Sequence, residues 1–119
     1  YANINNKKYL DLLNFVYDNT NKDSSLYPII SINLASAYII VEDYDKCPEI
    51  INDAISYFLI RNKIPNPILY FTRALYKRLK NMDYKEDYDK AILIASLAKN
   101  YNLINKFEQA KSYYEKYNT

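Results

Sequence analysis

Four carboxylates fall within seven residues, Asp83, Glu86, Asp87 and Asp89, close enough in sequence to suggest a carboxylate metal site. They lack the glycine and the ligand spacing of a calcium loop. At the start of a helical segment they suit the positive end of the helix dipole instead. Arg73, Lys77, Arg78 and Lys80 make a basic run just before them, which reads as a solvated face. The 119 residues contain no histidine, no glycine and one cysteine, Cys47. Without histidine there is no ordinary general base near neutral pH and no histidine-activated nucleophile. Without glycine there is no phosphate-cradling loop of the dinucleotide or P-loop kind. Cys47 alone closes no internal disulfide and builds no thiolate cluster, which suits a reducing, cytoplasmic setting. The chemistry left is recognition, so no catalytic residue, metal or cofactor is expected.

Half of the residues are hydrophobic and a quarter are charged, with a net charge of +2. This is the composition of a globular domain, with no strong field for nucleic acid or anionic lipid. No apolar run approaches the roughly 20 residues that span a bilayer. The sequence opens at Tyr1 without a basic, apolar leader and reads as a piece of a longer protein, residues 1–119 forming a single domain. The 15 tyrosines read mainly as packing residues, rings inward and hydroxyls at the surface.

Apolar residues recurring every three or four positions define six helical segments. They cover about 5–19, 26–41, 43–61, 67–80, 84–99 and 103–117. Pro28, Pro48 and Pro67 stand in first turns, where a missing N–H costs little. Ser24 or Ser25 is a candidate cap before the second segment. With glycine absent, Asn19, Asn62, Asn81 and Asn100 are the candidates for the left-handed conformation that ends a helix.

Small residues then repeat at set intervals. Ala35, Cys47 and Ala54 are 12 and 7 apart, and Ala74, Ala91 and Ala98 are 17 and 7 apart. Tetratricopeptide repeats place small residues 12 and 7 apart where two helices pack closely. The second triple fits with about five residues inserted near 81–87. Asp43-Tyr44-Asp45-Lys46 returns as Asp87-Tyr88-Asp89-Lys90, expected before the second helix of each pair. The expected fold is all-α: antiparallel helix pairs stacked as a tetratricopeptide-like right-handed superhelix of about six helices, with a plain helical bundle as the alternative. Such repeats line a concave surface with the first helix of each pair. Counting from Ala35 and Ala74, the peptide-binding candidates are Ile32, Asn33, Ser36 and Ile40, then Phe71, Thr72, Leu75 and Leu79, with Arg78 beside them. The Asn33 amide can donate to and accept from a peptide backbone, or else bond a neighbouring helix.

The stretches 33–55 (NLASAYIIVEDYDKCPEIINDAI), 67–79 (PILYFTRALYKRL), 88–100 (YDKAILIASLAKN) and 107–117 (FEQAKSYYEKY) resemble the C-terminal tetratricopeptide-like domain of Rgg/PlcR-type transcriptional regulators of Gram-positive bacteria. The resemblance implies quorum sensing: a short signalling peptide on the concave face, a homodimer, and DNA contacted only through an N-terminal helix-turn-helix domain that these residues do not include. It carries over one peptide contact, Asn33. The phrase NLASAY also resembles cochaperone tetratricopeptide domains that clamp a C-terminal carboxylate. There a Lys and an Arg stand where Ile68 and Thr72 stand here, and Arg73 lies one residue, about 100° around a helix, from the second of them. A protein–protein interaction module, cochaperone-like or a scaffold, is the alternative function.

Overall fold

A computed structural model describes residues 4–117 of the chain, all-helical with no strand among them. Six helices follow in order: α1 (Ile4–Asn19), α2 (Tyr27–Ile40), α3 (Cys47–Ile60), α4 (Pro67–Leu79), α5 (Lys85–Leu97) and α6 (Tyr101–Tyr117), with a 3-10 turn at Tyr44–Lys46 before α3. The expected six segments are present; α1 and α6 begin one and two residues earlier than expected, and the other ends coincide or are shorter by one to four residues. Adjacent helices pack on one another through short connections, α1 on α2 and α2 on α3, then α4 on α5 and α5 on α6, consistent with a helical-repeat fold. The chain divides into two compact units, one up to Pro65 and one from Asn66 onward.

In the first unit α2 lies between α1 and α3. Ala35, Cys47 and Ala54 are fully buried, so the small residues at this interval do bring α2 and α3 close. The Cys47 thiol donates to the Ala35 carbonyl at 3.5 Å. Leu34 and Ile51 fill the space around them. At the other end of the pair the Tyr27 ring meets those of Tyr17 and Tyr57, at 5.7 and 6.1 Å between centroids. Contacts of Tyr27 with Tyr57 and of Ala35 with Cys47 set α2 and α3 antiparallel.

In the second unit α4 and α5 are likewise antiparallel, with Tyr70 near Lys90 and Arg73 bonded to Asp87. The α6 helix returns alongside α4, placing Phe107 on Phe71 at 4.7 Å and Tyr114 under Arg78. Three sequence expectations need correcting here. Ala98 is exposed and caps α5, and Ala95 takes a buried place one turn beyond Ala91. No five-residue insertion exists either: α3 starts twelve residues after Ala35 and α5 eleven after Ala74. The second Asp-Tyr-Asp-Lys phrase lies inside α5, where Tyr88 is fully buried, whereas the first lies in the turn before α3.

Helix ends show how the chain manages without glycine. Glu42, Asn62, Asn81 and Lys99 have φ between 55° and 63°. Each sits one residue past a helix cap, and the next amide closes back on the carbonyl five residues earlier, as in Asp43 to Tyr38, Lys63 to Phe58, Met82 to Lys77 and Asn100 to Ala95. Four helices thus end in the same Schellman arrangement. Asn62 and Asn81 were expected there. Asn19 is instead the last residue of α1, and the Asn100 side chain accepts from the Leu103 amide at the start of α6. Helix length decides which residue reaches the left-handed position, and at α2 and α5 it is Glu42 and Lys99. A side chain with a Cβ costs about 1–2 kcal/mol in that conformation, less for asparagine. Glu42→Gly and Lys99→Gly are therefore expected to raise stability by about 1 kcal/mol each, and Asn62→Gly and Asn81→Gly by less. Urea denaturation followed by circular dichroism would show the order, and equal effects at all four sites would refute it.

Candidate functional site

The α2 helix has no charged residue in its 14 positions, which is unusual for a helix with an open side. One side is well covered: Ser31, Leu34, Ala35 and Ala37 are buried, and the Ser31 hydroxyl is spent on the Tyr27 carbonyl. The opposite side is open. Leu26, just before the helix, and Ile29 and Ile40 within it are 57%, 52% and 55% exposed. Asn33 is exposed and Ser36 half-buried between them. Leu26, Ile29, Asn33, Ser36 and Ile40 recur at steps of 3, 4, 3 and 4, so they form one stripe along the helix. The stripe offers apolar contact at both ends and an amide and a hydroxyl at the middle, a pattern suited to a partner carrying its own polar backbone.

Of the sequence candidates, Asn33, Ser36 and Ile40 belong to this stripe and Ile32 is half-buried at its margin. Leu26 and Ile29 belong to it as well and were missed. Their signal was the three- and four-residue spacing to Asn33 in a helix without charge. In the second unit the candidates are engaged with the fold. Thr72 is buried and donates its hydroxyl to the Ile68 carbonyl at 2.7 Å. Phe71 is half-buried between Tyr88 and Phe107. The Arg78 guanidinium lies 3.7 Å from the centre of the Tyr114 ring, and Leu75 and Leu79 are half-buried.

The charged residues that suggested chemistry are structural. Arg73 grips the Asp87 carboxylate with two N–H groups, Nε at 3.0 Å and Nη2 at 2.8 Å. Lys77 adds an ion pair at 2.8 Å. Asp87 is almost fully buried. Its burial alone raises the pKa, but hydrogen bonds from Arg73 and Lys77 outweigh this and hold the carboxyl below its ordinary range. The basic run is thus half anchored inside the unit, correcting its reading as a solvated face, and Asp87 does more than favour a helix end. The other acids are local: Asp83 accepts from the Lys85 amide, Glu86 pairs with Lys90 four residues on, and Asp89 holds Lys111 of α6 at 2.7 Å. Among the described residues no three His, Cys, Asp or Glu side chains gather to hold a metal ion.

Cys47 is no nucleophile in this setting. Burial, and then the carboxylates of Asp43 and Asp45, push its pKa up to about 11, which leaves it a thiol at neutral pH. Burial also raises the pKa of the Tyr88 phenol, whose oxygen has no hydrogen-bond partner among the described residues. Among those residues no helix is long and apolar enough to cross a membrane. No protein-family model, curated protein or solved structure matches this chain.

Proposed function

We propose that this chain is the peptide-receiving helical-repeat domain of a quorum-sensing-type transcriptional regulator, and that the outer face of α2 holds the peptide. The observation that carries the binding role is the uncharged stripe on α2, apolar at Leu26, Ile29 and Ile40 and polar at Asn33 and Ser36. An extended peptide laid along it buries apolar side chains at either end and meets the Asn33 amide with its backbone. The regulator role rests on the resemblance of 33–55 and the later stretches, and with it come a cytoplasmic location, pairing into a homodimer, and DNA binding by a separate N-terminal domain.

The test is a titration of a library of short linear peptides into the full chain, followed by backbone NMR shifts. Peptides that bind are expected to move the amides of 26–40 first. Asn33→Ala is expected to weaken them about 10-fold, the worth of one well-placed hydrogen-bonding group, without changing the mass of the protein in solution. Failure of every peptide at millimolar concentration would overturn the reading.

A further inference from the structure

We propose that the cavity at the turn between α4 and α5 is a binding site for a small aromatic carboxylate, whose anion is held by Arg78 and Tyr88. The cavity measures about 410 Å³ and is lined by Arg78, Leu79, Asn81, Met82 and Tyr84. Its volume is in the range of small-molecule sites, roughly 300–1,000 Å³. Hydrogen bonds fix the turn that forms its rim. Asn81 takes the left-handed conformation, the Met82 amide donates to the Lys77 carbonyl at 2.7 Å, and the Asp83 carboxylate accepts from the Lys85 amide. The site lies wholly in the second unit and uses no residue of the α2 stripe, so it does not depend on the peptide reading.

The Tyr88 hydroxyl is what points to a ligand. The side chain is fully buried, and its oxygen has no hydrogen-bond partner among the described residues. A buried hydroxyl in this state destabilises a fold, and an acceptor that reaches it removes the penalty. A helical side chain leans toward the start of its own helix, and one turn before Tyr88 stands Tyr84, edge-on to it at 5.6 Å between ring centroids. Burial raises the Tyr88 pKa; among its neighbours Tyr114 raises it further, Arg78 lowers it and Tyr84 raises it. The phenol thus has around it two residues that wall the cavity, Arg78 and Tyr84, and it stays protonated to donate. Because Tyr88 is fully buried, the ligand meets its hydroxyl only when the half-buried Tyr84 ring turns aside. Arg78 supplies the charge. The face of its guanidinium lies on the Tyr114 ring at 3.7 Å, and that ring is 6.3 Å from the ring of Tyr88. Its five N–H groups lie in the guanidinium plane, so a face can stack while an edge meets a carboxylate. One monovalent cation and one neutral donor suit a monovalent carboxylate better than a doubly charged phosphate. The dipoles of α4 and α5 end here with opposite sign and offset one another, so side chains set the charge. Leu79, Met82 and Tyr84 offer apolar surface to the rest of the ligand, which an aromatic ring covers well.

The test is a titration of phenylacetate into the full chain at neutral pH, followed by backbone NMR shifts, with phenylacetamide as the uncharged counterpart. Phenylacetate is expected to bind with a dissociation constant on the order of 1 mM, ordinary for a ligand of about ten non-hydrogen atoms, and to move the amides of 78–88 before any others. Phenylacetamide should bind about 10-fold more weakly. Arg78→Gln and Tyr88→Phe are each expected to weaken phenylacetate about 10-fold, and Asn33→Ala to leave it unchanged. Tyr88→Phe removes one oxygen and keeps the ring, so without ligand it should be at least as stable as the parent in urea. No shift in 78–88 at about 20 mM phenylacetate, equal binding of phenylacetamide, or undiminished binding by Tyr88→Phe would each overturn the assignment. A Tyr88→Phe protein less stable than its parent would show the hydroxyl already partnered and overturn it too.

Discussion

Replacing Asp87 with alanine is expected to cost about 3 kcal/mol, toward the lower end for a broken buried ion pair. The buried carboxylate takes two hydrogen bonds from Arg73 and an ion pair from Lys77, and joins α4 to the first turn of α5. Removing it leaves two cations without their counter-charge. Each is about a quarter exposed and can turn to water, which keeps the cost from rising further. Against a stability of about 5–15 kcal/mol for an ordinary domain, the loss should be plain in urea denaturation. The pH dependence has a defined sign. The folded carboxyl titrates below the unfolded value of 3.8, so its contribution is complete above that value and fades as pH falls through the folded pKa. Wild-type stability should therefore decline as pH drops below about 4. Asp87→Asn should be less stable at neutral pH and flatter across the acid range. An Asp87→Ala protein as stable as its parent would show that the Arg73–Asp87–Lys77 group adds nothing.

Phe107→Ala should be comparably damaging, at about 3–5 kcal/mol for emptying a buried aromatic site. Phe107 is 1% exposed and is the fully buried side chain by which α6 enters the second unit, stacked on Phe71. The rest of α6 is held more lightly, by Arg78 over Tyr114 and Lys111 on Asp89. A 17-residue helix on its own is marginal in water. Loss of the ring should therefore release α6 as a helix, with a fall in far-ultraviolet ellipticity before α4 and α5 melt. Tyr101→Ala, at an exposed position of the same helix, serves as the control and is expected to change stability by less than about 0.5 kcal/mol. Equal effects of the two substitutions would show that Phe107 does not anchor α6.

The helices could be read from periodicity because most bury one stripe and show another, and prolines marked three of their first turns. The close packing of α2 on α3 was legible in Ala35, Cys47 and Ala54, since close approach leaves room for nothing larger. The α2 binding face was harder. Its 14 residues are apolar nearly all round, so periodicity could not say which side stays open. Counting from Ala35 found Asn33, Ser36 and Ile40 but passed over Leu26 and Ile29. Phe71 and Arg78 looked available because nothing local announces that α6 will return over α4. The Arg73–Asp87 pair escaped notice for a similar reason: a buried charge has no periodic signature, and its partner lies 14 residues on. At Glu42 and Lys99 the backbone conformation follows where the hydrogen-bond ladder stops, and the side chain has little say.

Within each unit a helix packs chiefly on the one before or after it in the chain. The chain entropy lost in closing such short loops is small, and each contact is met soon after the two helices form. Folding should accordingly be fast, on the scale of microseconds to milliseconds seen for proteins of low contact order. The same wiring limits cooperativity, because a helix at the end of a row has one neighbour and can peel away while the middle holds. Amide hydrogens in α2, which lies between two helices, should then outlast those of α1 and α3.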